Sequence, residues 1–255
     1  MKRISPKGHP KKMFLPPPAR PLLSAWTAVA LCAAMAGPVA SGPAQGPSQA
    51  AVAPVGPPGT RAVVLGPDKF QVLERDSGPV NYYRTIDDPQ QAFIRGVYRP
   101  GLQTVTLFAE APEDLRRGVR LARWRWRALV LPREGDECAG GNRSDSAANV
   151  YVTWKSGLRW YSLKFVWSTE ARLGATCAGK RNPFVAQDSI VLRSGGPVGV
   201  WHDEEIDPQR LFREHFESGD PTAEVPDLAG IGIMSDGDQT NSVSAADFGA
   251  FILFK

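Results

Sequence analysis

Two stretches of this 255-residue sequence hold side chains able to act in concert. Arg123-Trp124-Arg125-Trp126-Arg127 alternates guanidinium with indole, and Asp236-Gly237-Asp238-Gln239-Thr240 alternates oxygen-bearing side chains. Guanidiniums hold carboxylates or hydroxyls through a planar fork of donors. Asp236, Asp238 and Thr240 are spaced as alternate ligands of a cation, with Asp247 at the twelfth position, as in a calcium loop. Asn241 stands where such a loop requires glycine, and Asp247 is shorter than the usual glutamate. The competing reading is a turn stapled by Asx hydrogen bonds, which the residues favour. No cofactor is expected beyond that candidate structural calcium.

Other chemistries have thinner support. Glycoside hydrolysis needs two carboxyl groups roughly 5–10 Å apart across a sugar, and Asp145, Asp236 and Asp238 are the acids to consider. Glu134, Asp136 and Glu137, like Asp203-Glu204-Glu205, read as solvated charge. From residue 61 onward the only histidines are His202 and His215, and neither Ser nor Cys sits in a nucleophile elbow. Ser194-Gly195-Gly196-Pro197 reads as a turn, because no Lys or helix start follows it.

The charge balance is local. The first sixty residues carry Lys2, Arg3, Lys7, Lys11, Lys12 and Arg20 and no acid. Without them 24 cations face 26 acids, a net charge of −2, so a nucleic-acid partner is not expected. The leader has the order of an export signal over residues 1–36: a basic stretch, an uncharged run from Leu22 to Ala36, and Ala34-Met35-Ala36 as a cleavage site. The run is too short to span a bilayer comfortably. Translation from Met13 would give a more ordinary signal. Residues 37–60, rich in Pro, Gly, Ala, Ser and Gln, read as a linker, and residues 61–255 as one domain. The protein is expected in the periplasm or outside the cell. There Cys138 and Cys177, both in polar Gly-bearing loops, are expected to pair.

Strand signals dominate that domain. Candidates are 70–75, 80–84, 92–99, 104–109, 120–131, 148–155, 160–168, 189–193, 199–203, 228–235 and 248–254. One helix is predicted over Pro208 to Phe216, with Asp207 as cap and Pro208 at its first position. The fold class is all-β, a two-sheet sandwich with one short helix. Alternation places Trp124 and Trp126 on one face of their strand and the arginines on the other. It likewise sets Val150, Val152 and Trp154 opposite Tyr151 and Thr153, and Leu163, Phe165 and Trp167 opposite Ser162 and Lys164. If these strands are neighbours, Arg125, Arg127, Tyr151, Thr153, Ser162 and Lys164 share one face suited to an anionic or polyhydroxylated ligand. A solvated face is the alternative. Gly230 and Gly232 leave one face of their strand bare, through close approach of a ligand or backbone, or through a bulge.

Ala147-Ala148-Asn149-Val150-Tyr151-Val152 after Asp145, Ser162 to Ser168, and Gly230 to Asn241 before Phe248-Gly249 join Trp124-Arg125-Trp126-Arg127 in an ordered set. With these motifs the chain resembles a bacterial exported family, domain of unknown function 3047, over roughly residues 65–254. The resemblance implies a jelly-roll sandwich similar to carbohydrate-binding modules and carries no catalytic residues. Gly237 and Gln239 depart from the family pattern, and the two cysteine loops look like additions.

The expected role is non-catalytic binding of an envelope glycan or polysaccharide, or of an anionic polymer, through Arg125, Arg127, Tyr151, Lys164 and Asp145, with no stable membrane span after cleavage. The alternatives are a carbohydrate-active hydrolase using Asp145 with Asp236 or Asp238, and a purely structural envelope protein.

Overall fold

The computed structural model describes residues 56–73 and 81–255. The expected export signal, most of the linker and the ends of the first two predicted strands fall outside those residues. Among the described residues the strands, in chain order, are β1 (Ala62–Leu65), β2 (Gln71–Val72), β3 (Tyr83–Ile86), β4 (Phe93–Tyr98), β5 (Leu107–Glu110), β6 (Leu121–Val130) and β7 (Ala148–Ser156). After them come β8 (Arg159–Ser168), β9 (Thr176–Arg181), β10 (Val185–Ser194), β11 (His202–Ile206), β12 (Asp227–Met234) and β13 (Ser244–Phe254). The single α-helix, α1, runs Pro208–Phe216. None of the described helices is long and apolar enough to cross a membrane.

The strands form two sheets, as the alternation requires. One has the order β11-β6-β13-β4-β3, with β1 also on β13; the other runs β2-β5-β12-β7-β8-β10-β9. All pairings are antiparallel except β8 with β10. The protein is thus an all-β, jelly-roll-like sandwich with one helix. The predicted strands are found with shifted ends. Two were not foreseen: β1 is four residues long and half-exposed, and β9 is polar and exposed at a sheet edge, so neither shows an apolar period.

Between the sheets lies an aromatic core. Trp124 and Trp126 point inward from β6 and are buried. The Trp126 ring meets Trp167 of β8 edge-on at 5.9 Å between centroids, and Trp124 meets Phe165 at 5.5 Å. Asp207 caps α1 by accepting from the Arg210 N–H at 3.0 Å. The apolar edge of α1 then closes one end of the core, with Phe212 against Trp154 and Tyr161 at 5.3 and 5.1 Å. Such aromatic pairs add to the area they bury through edge-to-face attraction.

One expectation fails here. β6 pairs with β11 and β13, whereas β7 and β8 pair with each other in the opposite sheet. Arg125 and Arg127 therefore lie on the outer face of one sheet, and Tyr151, Thr153, Ser162 and Lys164 on the outer face of the other. The shared face never forms. Inward alternation is a local property of each strand, but the choice of neighbour is not.

Trp126 is fully buried and also donates from Nε1 to Glu204 at 2.9 Å. Trp126→Ala is expected to lower stability by about 3–5 kcal/mol, read from urea unfolding midpoints. A loss under 1 kcal/mol would contradict its place at the junction of the sheets.

Candidate functional site

The outer face of the β7–β8 sheet is built from two cross-strand rows fixed by register. Phe108, Gly232, Tyr151, Lys164 and Ser189 form one, on β5, β12, β7, β8 and β10 in turn. Glu110, Gly230, Thr153, Ser162 and Gln187 form the next. A groove of about 610 Å³ lies over the middle of these rows. Its floor includes Tyr151, Thr153, Ser162, Gln187 and Gly232, and Trp160, Phe108, Phe184 and Leu158 also line it. Trp160 is 39% and Phe184 59% exposed, an unusual amount of aromatic surface left to water.

The two glycines act differently. A Cβ on Gly230 would come 2.2 Å from the Ala109 carbonyl oxygen, and the β12–β7 register shifts there, so Gly230 serves a bulge and close packing. Gly232 lies on the groove, where a Cβ would meet the Tyr151 Cβ at 3.2 Å. Its lack of a side chain keeps the floor low.

Lys164 and Ser189 are missing from the groove because a loop roofs them. Lys164 Nζ pairs with Glu137 Oε2 at 2.8 Å, and Ser189 Oγ donates to Glu137 Oε1 at 2.7 Å. Glu137 precedes Cys138, which is disulfide-bonded to Cys177 on β9 as expected. A glutamate read as solvated is thus buried as the counterion of a cation read as free. The Cys138 loop supplies it, and composition alone held no signal for that. Burial presses the Lys164 ammonium toward neutrality, but Tyr151, Glu137 and Asp236 outweigh it, and the pKa rises above the ordinary lysine value. Burial likewise raises the Tyr151 phenol, against the pull of Lys164.

Beyond the roofed end, Asp145, Asp236 and Asp238 converge, each with an oxygen within 4.8 Å of the others. Asp145 accepts from the Thr240 N–H and Oγ at 2.6 Å each and from the Gln239 N–H at 3.3 Å. Gln239 Oε1 accepts in return from Ser144 N and Oγ. The two residues expected to depart from the family pattern, Gly237 and Gln239, have structural roles. Gln239 completes this two-way clasp, and a Cβ on Gly237 would lie 2.2 Å from the Ser242 carbonyl oxygen. Asn241 takes the left-handed conformation that asparagine tolerates, at φ 46°. Burial raises the Asp236 pKa to about 7, with Lys164 and the Ser146 N–H opposing and Asp145 and Glu137 assisting. Asp238 is raised by burial and then by Asp145.

Asp247 does not join this group. It is buried in the other sheet, where Arg95 Nε and Nη2 donate to it at 2.7 and 2.8 Å and Arg127 Nε at 2.7 Å. The calcium-loop spacing over Asp236, Asp238 and Asp247 therefore does not describe a site, because Asp247 sits opposite Arg127 in β13. Arg127 is committed to Asp247. Arg125 lies over the Trp201 ring, 4.7 Å from its centroid, and forms no ion pair among the described residues. Of the five residues expected to bind ligand, Tyr151 alone lines the groove. Lys164 is roofed, Asp145 holds the clasp, and the two arginines lie on the far sheet.

A family model described as protein of unknown function (DUF3047) matches residues 81–252. The chain belongs to this family. No curated protein matches the chain. Solved structures with a similar fold include a xylan-binding module, CBM86, from Roseburia intestinalis, at 10% identity and TM-score 0.32 over 76% of this chain and 96% of that one. Another is endoglucanase 3 of family GH12 from Trichoderma harzianum, at 7% identity and TM-score 0.39 over 79% and 100%. A family 11 xylanase from Neocallimastix patriciarum is similar at 8% identity and TM-score 0.24 over 76% and 97%.

Asp236 in this DUF3047 chain makes stability depend on pH. The folded carboxyl holds its proton more tightly than an unfolded one, so its contribution is fullest in acid and is lost as pH rises from about 4 to about 7. Asp236→Asn keeps an acceptor for the Ser146 N–H and the Asn149 carboxamide, which now donate to Oδ1. The variant is expected to flatten the stability–pH curve in that window and to gain roughly 1–4 kcal/mol on wild type at pH 8. Parallel curves for the two proteins would show that Asp236 is not held protonated.

Proposed function

We propose that this exported protein binds a glycan, without catalysis, in the groove on the outer face of the β7–β8 sheet. The observation that carries the reading is the pairing of an exposed aromatic wall with a floor of hydroxyl and amide groups. Trp160, Phe108 and Phe184 offer flat apolar surface for the faces of sugar rings. Thr153 Oγ and Ser162 Oγ lie 3.4 Å apart beneath them, with Gln187 and Tyr151 alongside. Groups that both donate and accept suit the hydroxyls of a sugar. Lys155 Nζ lies over the Trp160 ring, 4.8 Å from its centroid, a contact that steadies an exposed indole.

Non-catalytic binding fits the placement of the acids. Asp145 and Asp236 accept from backbone and side-chain donors around the 236–240 loop, and no carboxylate lines the groove. The disulfide fits an exported protein, free in the periplasm or outside the cell.

Retardation in polysaccharide-impregnated native gels tests the reading. Trp160→Ala is expected to weaken binding at least tenfold, about 1.4 kcal/mol, with its melting temperature unchanged. Trp201→Ala, on the arginine-bearing sheet, is expected to bind as wild type does. Equal binding by wild type and Trp160→Ala would overturn the placement, and loss confined to Trp201→Ala would move the site to the arginine face.

A further inference from the structure

The charges around the groove restrict what it can hold. Its lining comprises Leu73, Thr106, Phe108, Tyr151, Thr153, Leu158, Trp160, Ser162, Phe184, Val185, Gln187 and Gly232, and none of these is ionisable near neutral pH. The one cation in the two cross-strand rows beneath it, Lys164, is buried and neutralised by Glu137. Exposed charges flank the groove: Lys155, Glu110, Arg116 and Asp227 line a neighbouring depression that shares Phe108 and Trp160 with it, and Arg181, which donates to the Gln187 carbonyl, is paired with Asp188. Both signs occur there, and Arg116 is within 3.7 Å of Glu110.

The polar groups that remain are held by weak partners. Tyr151 OH and Thr106 Oγ1 both reach the Met234 thioether sulfur, at 3.9 and 3.5 Å. A thioether is a poor acceptor, so exchanging it for a sugar hydroxyl gives each group a stronger bond. A ligand carboxylate or sulfate over the floor would shed water and find no cation among the lining residues, Lys155 lying at the rim over the Trp160 ring. The lining also comes from five adjacent strands, β5, β12, β7, β8 and β10. At about 4.8 Å per strand the groove crosses ~19 Å of sheet, the length of several sugar units.

Resting on the glycan-binding reading above, we infer that the ligand is an uncharged polysaccharide engaged over several residues at once. Acidic polymers are excluded from the groove. This differs from the anionic ligand that arginines on the same face would have selected, because those arginines lie on the other sheet.

The test uses the mature chain with its disulfide intact. Native gels contain either a neutral polymer (xylan, hydroxyethylcellulose, mixed-linkage glucan or starch) or an acidic one (polygalacturonate or alginate), run at low and at 0.5 M salt. The inference expects retardation by at least one neutral polymer, unaffected by salt and lost in Trp160→Ala, with none by the polyuronates. It also expects oligosaccharides of that neutral polymer to bind at least tenfold tighter at five or six units than at two, by calorimetry. Retardation by a polyuronate that Trp160→Ala abolishes would overturn the neutral class and leave glycan binding standing. Affinity independent of length would overturn multi-residue engagement. Retardation by no polymer would overturn the glycan reading itself.

Discussion

The contact between Trp126 of β6 and Trp167 of β8 joins the two sheets, and most of the surface follows from it. Each tryptophan sits in a strand whose side chains alternate, so turning one inward turns its neighbours outward. Inward Trp126 sends Arg125 and Arg127 to water on one side. Inward Trp167, Phe165 and Leu163 turn Lys164 and Ser162 to the outer face on the other, where the Cys138 loop covers Lys164. A slip of one residue would bury the guanidiniums of β6 or the Lys164 ammonium of β8 and turn core indoles outward, so the core holds the register of both outer faces tightly.

Charge is then handled by local commitment. Asp247 is shared between Arg95 and Arg127, Glu204 between Arg193 and Trp126, and Glu137 between Lys164 and Ser189. Asp247 and Glu137 have donors on both oxygens, and Glu204 takes two donors on Oε1, the kind of pairing under which buried charge is tolerated. The effect on the groove is subtraction. Glu137 neutralises the one cation in its rows, and the residues that line the groove are aromatic, aliphatic, hydroxylic or amide-bearing and uncharged.

The sequence showed the faces of β6, β7 and β8 clearly, because a period of two survives any change of neighbour. The α1 cap at Asp207 and the Cys138–Cys177 pairing were legible for similar reasons, since both rest on residue type in a local setting. Which strands lie side by side was not legible. Arg127 and Lys164 look alike in sequence, but one belongs to a strand beside β13 and the other to a strand beside β10. Asp247 was misleading because its distance along the chain from Asp236 mimics a calcium loop, while the intervening turn carries it into the other sheet. Glu137 was hidden in a charged loop whose path over β8 depends on Cys177, about forty residues later.

That bridge has a consequence for how the groove comes to exist. Cys138 precedes β7 and Cys177 lies in β9, so the covalent ring they close contains all of β7 and β8. Tyr151, Thr153, Ser162 and Lys164 are therefore tethered near one another even in a fully unfolded chain. Loop closure for this hairpin is largely settled before any tertiary contact forms. The part of the groove floor on β7 and β8 can thus reassemble early on refolding, as a local unit inside an otherwise long-range β topology.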